Sequence, residues 1–248
     1  MSAVEQDREE VRSVPPTCPE GHCISAVIPI YNEEKFLANF LAALLQSTYL
    51  DEIICVDDGS TDRSREILHQ YADTIQIIEL PQNTGKGAAL ASGIRAAHGD
   101  IVLFLDADLK NLNDFHIQAL LDPLQAKRAR VVVGYCKTSE NPLNMNELIS
   151  GQRAYFRSDL EPFLEEMAAK RFGIEMYLNS LFHPANMLFI PLVKLRSAYK
   201  FEKYPPEVAF TEYCREGKEI IISLPTTVTS QHFVAFMIDK IRGLFILV

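Results

Sequence analysis

The chain has 248 residues, 48% apolar and 23% charged, which suits one large α/β domain with a full core. With 24 basic and 33 acidic side chains its formal charge is −9, which argues against a nucleic-acid binder, because such binding needs a basic surface to displace counterions. A small anionic substrate stays open, since one lysine or one metal ion reverses the field locally.

Residues 1–23 are polar and acidic, contain Pro15-Pro16 and lack an apolar h-region; they read as a flexible arm ahead of a single domain over 24–248. Residues 25–30 form an apolar run that predicts a buried strand. Phe36, Leu37, Phe40, Leu41, Leu44 and Leu45 then recur at helical spacing. The alternation continues with a strand at 52–56, a helix at 62–71, a strand at 75–78, a helix at 87–97 and a strand at 101–105. A helix at 114–126 and a strand at 130–135 follow, then a polar loop at 138–145. Helices are expected at 148–169 and 174–182, with late strands at 185–190 and 219–223. Strands apolar throughout need cover on both faces, so the expected architecture is an α/β, mostly parallel, doubly wound sheet flanked by helices. No run reaches the length needed to cross a bilayer. Residues 233–248 are apolar but broken by Asp239, Lys240 and Arg242, and predict an amphipathic helix packed on the domain, with peripheral membrane contact as the alternative. The five cysteines are scattered and read as reduced thiols of a cytoplasmic protein.

Ligands of open α/β sheets sit beyond the carboxyl ends of the strands. Here the first strand ends in Tyr31-Asn32-Glu33-Glu34 and the second in Asp57-Asp58-Gly59-Ser60. The third leads to Gly85-Lys86-Gly87 and the fourth to Asp106-Ala107-Asp108. Two carboxylates one residue apart repel unless a positive group sits between them. Mg²⁺ or Mn²⁺ suits that need, preferring carboxylate oxygens and completing its shell with water and phosphate. A helix cap plus a solvated aspartate would leave the same residues in the sequence. Thr61 or Asp62 is expected to cap the second helix, which leaves Asp57 and Asp58 for ribose hydroxyls or a base N–H. The glycines around Lys86 would let backbone approach a ligand, with the lysine supplying charge for phosphate; the spacing is not that of a Walker loop.

Together, Val27 to Glu33, Val56 to Asp62, Asn83 to Gly87 and Asp106 to Asp108 resemble family 2 glycosyltransferases of the GT-A fold, over residues 24–136. The resemblance implies a nucleotide-sugar half at 24–136 and an acceptor half at 137–248. Pro29, Tyr31 and Glu33 would border base and ribose, and Asp57 or Asp58 would bind one of them. Lys86 would lie near the nucleotide; Asp106 and Asp108, flanking Ala107, would hold Mg²⁺ or Mn²⁺ against the diphosphate of a UDP- or GDP-linked sugar. Ser150 to Ala154 with Arg157 resembles the S-G-x-R element of polyprenyl-phosphate sugar transferases, which would give Arg153 and Arg157 the acceptor phosphate. Lys110 departs from that group, where an uncharged polar residue is usual. Phe172 to Met176 and Gln231-His232-Phe233 resemble glucosyl-3-phosphoglycerate synthases, in which a late histidine completes the metal shell; His232 would fill that place. Asp108, Glu175 and Arg153 are the expected catalytic residues, Glu175 as the group that orients or deprotonates the acceptor. The acceptor is expected to be a lipid phosphate or a phosphorylated small molecule; inversion, retention and homodimerisation stay open. A sugar-nucleotide nucleotidyltransferase and a non-catalytic sugar-nucleotide-binding module are the alternatives. The first strand lacks the Gly-rich basic loop of the nucleotidyltransferases.

Overall fold

The structure, a computed structural model, describes residues 22–136, 149–171, 173–198 and 200–203, with positions 205 and 207. The strands are β1 (Ile24–Ile30), β2 (Glu52–Asp57), β3 (Gln76–Glu79), β4 (Ile101–Phe104), β5 (Leu109–Lys110), β6 (Val131–Cys136), β7 (Gln152–Phe156), β8 (Met187–Leu192) and β9 (Arg196–Ser197). The helices are α1 (Leu37–Leu44), α2 (Ser64–His69), α3 (Lys86–Ala96), α4 (Asp114–Gln125), α5 (Arg157–Leu160), α6 (Leu164–Ala168), α7 (Ile174–Leu181) and α8 (Lys200–Lys203).

Seven strands form one sheet in the order β3-β2-β1-β4-β7-β6-β8, and β5 and β9 pair separately. All neighbours in the large sheet run parallel except β7, which is antiparallel to both β4 and β6. The period-2 alternation of a strand sends neighbouring side chains to opposite faces. Val27, Val56, Phe104, Val133 and Tyr155 pack with α3, α6 and α7 on one face. Ile28, Cys55, Leu103, Val132 and Ala154 pack with α1, α2 and α4 on the other. Both faces are covered, which is why the strands read as continuous apolar runs.

The chain leaves β1 toward β2 and β3, then returns to place β4 on the opposite side of β1. That reversal opens a crevice at the carboxyl ends of β1 and β4. Pairing widens it: β1 and β4 part after Val27 and Phe104, whereas β1 stays paired to β2 as far as Ile30 and Asp57.

The helix expected at 148–169 is corrected. Its first half contains β7, a central strand, and the rest is two short helices joined by a 3-10 turn at Glu161–Phe163. Gln152 and Arg153 look like solvent-facing helix residues, yet both are buried between β4 and β6. Among the other elements the boundaries move by one to two residues. The expected strand at 219–223 and the helix at 233–248 lie outside the described residues. No helix of the described residues is long and apolar enough to cross a membrane. Cys23 is disulfide-bonded, contrary to the reading of reduced thiols, whereas Cys55 and Cys136 are free.

Candidate active site

Residues from five elements meet beyond the end of β4. Asp106 and Asp108 lie on the turn that leaves this strand, and β5 begins at once with Leu109. Lys86, at the first position of α3, donates from Nζ to Asp106 Oδ1 (2.6 Å) and to Glu175 Oε1 in the first turn of α7 (2.7 Å). The other oxygen of Asp106 accepts from Gln152 Nε2 at the start of β7 (2.8 Å). The Gln152 amide is itself held by the Ser150 hydroxyl, 2.6 Å from its Oε1. Gly151, between them, lies flat on the pair: a Cβ there would stand 2.6 Å from Lys86 Nζ and closer still to the Asp106 carboxylate. On the other side Lys203, the last residue of α8, reaches Glu33 Oε1 (2.5 Å) and Asp108 Oδ2 (2.7 Å).

Four carboxylates and two ammonium groups thus share a largely buried space. Burial works against the charge on Lys86, but Asp106 and Glu175 overcome it and raise the ammonium well above its ordinary value. Burial likewise works to raise Asp106, and Lys86 with Gln152 reverses this, holding the carboxyl below the usual range. Asp108 ends up raised, by burial first and with Asp106 adding repulsion. Burial raises Glu33 from 4.5 to about 7, against the pull of Lys203. Two of the four buried side-chain oxygens without a hydrogen-bond partner among the described residues belong to this cluster: Asp108 Oδ1 and Glu33 Oε2. A buried acceptor left unmatched is costly, and such atoms in native proteins call for a ligand, an ion or water.

The expected residues divide sharply by position. Lys86, Asp106, Asp108, Glu175 and Glu33 come together. Pro29, which has no N–H to give, stands beyond the last β1–β4 pair, and Tyr31 is exposed at the crevice mouth. Ala107 is a core side chain, so only its backbone is left for a ligand.

Asp57 and Asp58 were expected to be free of structural duties, and both have them. Asp57 is fully buried, pairs with Arg65 (2.8 Å) and accepts from Ser60 N (3.2 Å). Asp58 accepts from Thr84 N (2.7 Å), Thr84 Oγ1 (2.8 Å) and Gly85 N (2.8 Å), tying the end of β2 to the turn that opens α3. The glycines beside Lys86 serve packing rather than a ligand. Gly85, at φ 103°, presses on Arg171, and Gly87 donates its N–H to Lys170 O at the end of α6 (3.0 Å). This close approach aims Lys86 at the carboxylates.

Arg153 has no exposed surface and bonds Ser150 O (2.6 Å), Asn179 Oδ1 (2.7 Å) and Tyr155 Oη (3.2 Å), so it braces the Ser150–Gln152 segment. Arg157 stands at the wrong end of the sheet. Because β7 runs antiparallel to β4, Gln152 lies beside Asp106 while Arg157 donates to Gly99 O, ahead of β4 (2.9 Å), and pairs with Glu161. Five residues of strand, roughly 17 Å, separate the two ends. His232 lies outside the described residues.

Gln152 and Lys203 escaped the reading of the sequence. Gln152 was the unspecified position within the S-G-x-R element. Lys203 carries no local signal, its partners lying 95 and 170 residues away.

A divalent cation fits this set of donors. Four carboxyl groups face two lysines, and Asp108 Oδ1 is an open, buried, hard oxygen donor. No three His, Cys, Asp or Glu side chains converge as a cage among the described residues. Mg²⁺ and Mn²⁺ do not require one, since they keep water and substrate phosphate in their shells. Asp108 would hold such an ion, with Asp106 beside it.

Comparison with known proteins shows the family and the fold. The curated relatives include the undecaprenyl-phosphate 4-deoxy-4-formamido-L-arabinose transferase of Pseudomonas fluorescens (strain SBW25), 43% identical over 98 residues, 36% of this chain and 29% of that one. Glycosyltransferase GlyG of Streptococcus pneumoniae serotype 4 is 34% identical over 134 residues, 52% of this chain and 44% of that one. The chain therefore spans less than half the length of either relative. Among solved structures, glucosyl-3-phosphoglycerate synthase from Mycobacterium tuberculosis with Mn²⁺, UDP and glucosyl-3-phosphoglycerate superposes with a TM-score of 0.62. It is 22% identical, over 82% of this chain and 79% of that one, a likeness of GT-A fold. The same enzyme has been crystallised with Mg²⁺ and UDP. The family model described as Glycosyl transferase family 2 matches residues 25–176, from β1 into α7. The chain belongs to glycosyl transferase family 2.

Proposed function

We propose that the chain transfers a sugar from a UDP- or GDP-linked donor to an acceptor oxygen, with Asp108 and Asp106 holding Mg²⁺ or Mn²⁺ against the donor diphosphate. The observation that carries the reading is the buried, unmatched Asp108 Oδ1 at the carboxyl end of β4, in a cluster of four carboxyl groups and two lysines. Family membership and the Mn²⁺ and UDP bound to the structural neighbour support it.

Breaking the glycosidic C–O bond leaves negative charge on the departing nucleoside diphosphate, and a bound divalent ion supplies Lewis-acid stabilisation of that charge. The protein's own groups do the rest. Lys86 provides a preset positive charge whose direction is fixed by α3 and by Asp106 and Glu175. Gln152 holds one Asp106 oxygen in place, and Gly151 keeps the space over Asp106 and Lys86 free of any side chain. Glu175, paired with Lys86 at 2.7 Å, would receive the proton of an acceptor hydroxyl. An acceptor phosphate needs no such base. Both acceptor classes have a relative: the curated transferases are named for undecaprenyl phosphate, and the structural neighbour holds a phosphoglycerate product. A polyprenyl phosphate acceptor would bring the chain to a membrane surface.

Incubation with UDP- and GDP-sugars in Mn²⁺, followed by nucleoside diphosphate release with and without polyprenyl phosphate or phosphoglycerate, tests the reading. Asp108→Asn should lower release about a thousandfold while the far-UV spectrum is retained. Undiminished turnover in that variant would refute the assignment.

A further inference from the structure

We propose that Lys203 is a tethered counter-cation of the site, and that α8 is a strap which a divalent ion must lift to occupy Asp108. The inference rests on the metal-dependent reading above and adds a regulatory contact to it.

The two lysines of the cluster are mounted differently. Lys86 is built into an eleven-residue helix whose first turn is pinned by Asp58 and by the packing of Gly85 and Gly87 on the end of α6. Lys203 ends a four-residue helix. Charged side chains fasten that helix from outside: Lys35 Nζ donates to the carbonyls of Lys203 (2.8 Å) and Glu202 (3.5 Å), and Lys110 pairs with Glu202. Ion pairs at this exposure are weak, so the fastening is reversible.

Lys203 nonetheless sits where charge matters most. Its ammonium lies 2.7 Å from Asp108 Oδ2 and 2.5 Å from Glu33 Oε1, and both carboxylates keep a second oxygen that is buried and unmatched. The ammonium neutralises the pair without saturating it. A divalent ion bound through Asp108 Oδ1 would stand within about 5 Å of Nζ, where like charges repel in a partly buried setting. Ion and ammonium therefore compete for Asp108. In the free protein the lysine stabilises the carboxylates; on loading, α8 moves aside.

The test is Mn²⁺ binding by the full chain without nucleotide, read from the paramagnetic resonance of free Mn²⁺. Lys203→Met should tighten Mn²⁺ binding about tenfold, because one competing charge is gone. Lys203→Arg keeps the charge and should stay within about twofold of the parent. The double variant Lys35→Ala/Lys110→Ala loosens the strap without touching the four carboxylates or Lys86, and should tighten binding about threefold. Unchanged or weaker Mn²⁺ affinity in Lys203→Met, with measurable binding by the parent, overturns the strap alone. No Mn²⁺ binding by parent or variants overturns the strap, and if binding is still absent when UDP or GDP is added it overturns the metal-dependent reading with it.

Discussion

Two aspartate pairs stand on either side of β1, one at the end of β2 and one at the end of β4, and the chain treats them in opposite ways. Asp57 and Asp58 are matched by Arg65, by the backbone N–H groups of Ser60, Thr84 and Gly85 and by the Thr84 hydroxyl. Asp106 and Asp108 are matched by the side chains of Lys86, Gln152 and Lys203, and one oxygen is left over. A carboxylate answered by its own backbone is a fastener. One answered by side chains, and incompletely, is available to a ligand. The difference lies in what each oxygen accepts from, since both pairs are buried and acidic.

That contrast can be broken by mutation. Asp58→Ala removes the acceptor of two backbone N–H groups and a hydroxyl, and should cost about 2–3 kcal/mol of unfolding free energy, read in urea. Asp108→Asn should cost little or nothing in the same titration, because it relieves an unmatched buried charge. A large loss there would erase the distinction between the pairs. A smaller effect concerns Glu33. Its folded value of about 7 lies above its ordinary 4.5, so its protonated form is the one the fold favours. The stability this group contributes is complete below pH 4.5 and is lost as pH rises to 7, on the order of 3 kcal/mol. Glu33→Gln should remove that part of the slope in metal-free protein; an unaltered slope would show that Glu33 is not held protonated.

The first half of the domain was legible because β1, β2 and β4 are apolar on both faces and the polar residues of interest follow each directly. The later residues were harder for a physical reason. The polar side chains of β7 are satisfied inside the core, Arg153 by Ser150 O and Asn179, so composition disguised a central strand as a helix. Arg157 was misplaced in consequence: a helix would have set it near Arg153, whereas a strand carries it to the far end of the sheet. The duties of Asp58 and the aim of Lys86 depend on the Thr84–Gly85 turn packing against β2 and α6, contacts with no trace in local pattern. Lys203 and Gln152 belong to the site only through tertiary structure.

The central claim is that Asp108 serves a divalent ion bound to a diphosphate. It is tested most directly by calorimetric titration of UDP and of GDP into the parent chain and Asp108→Asn, each with Mn²⁺ and with EDTA. The account predicts that one nucleotide binds the parent at least about tenfold more tightly with Mn²⁺, and that Asp108→Asn abolishes this dependence. Equal affinity in Mn²⁺ and EDTA, or a metal dependence that survives Asp108→Asn, would contradict it.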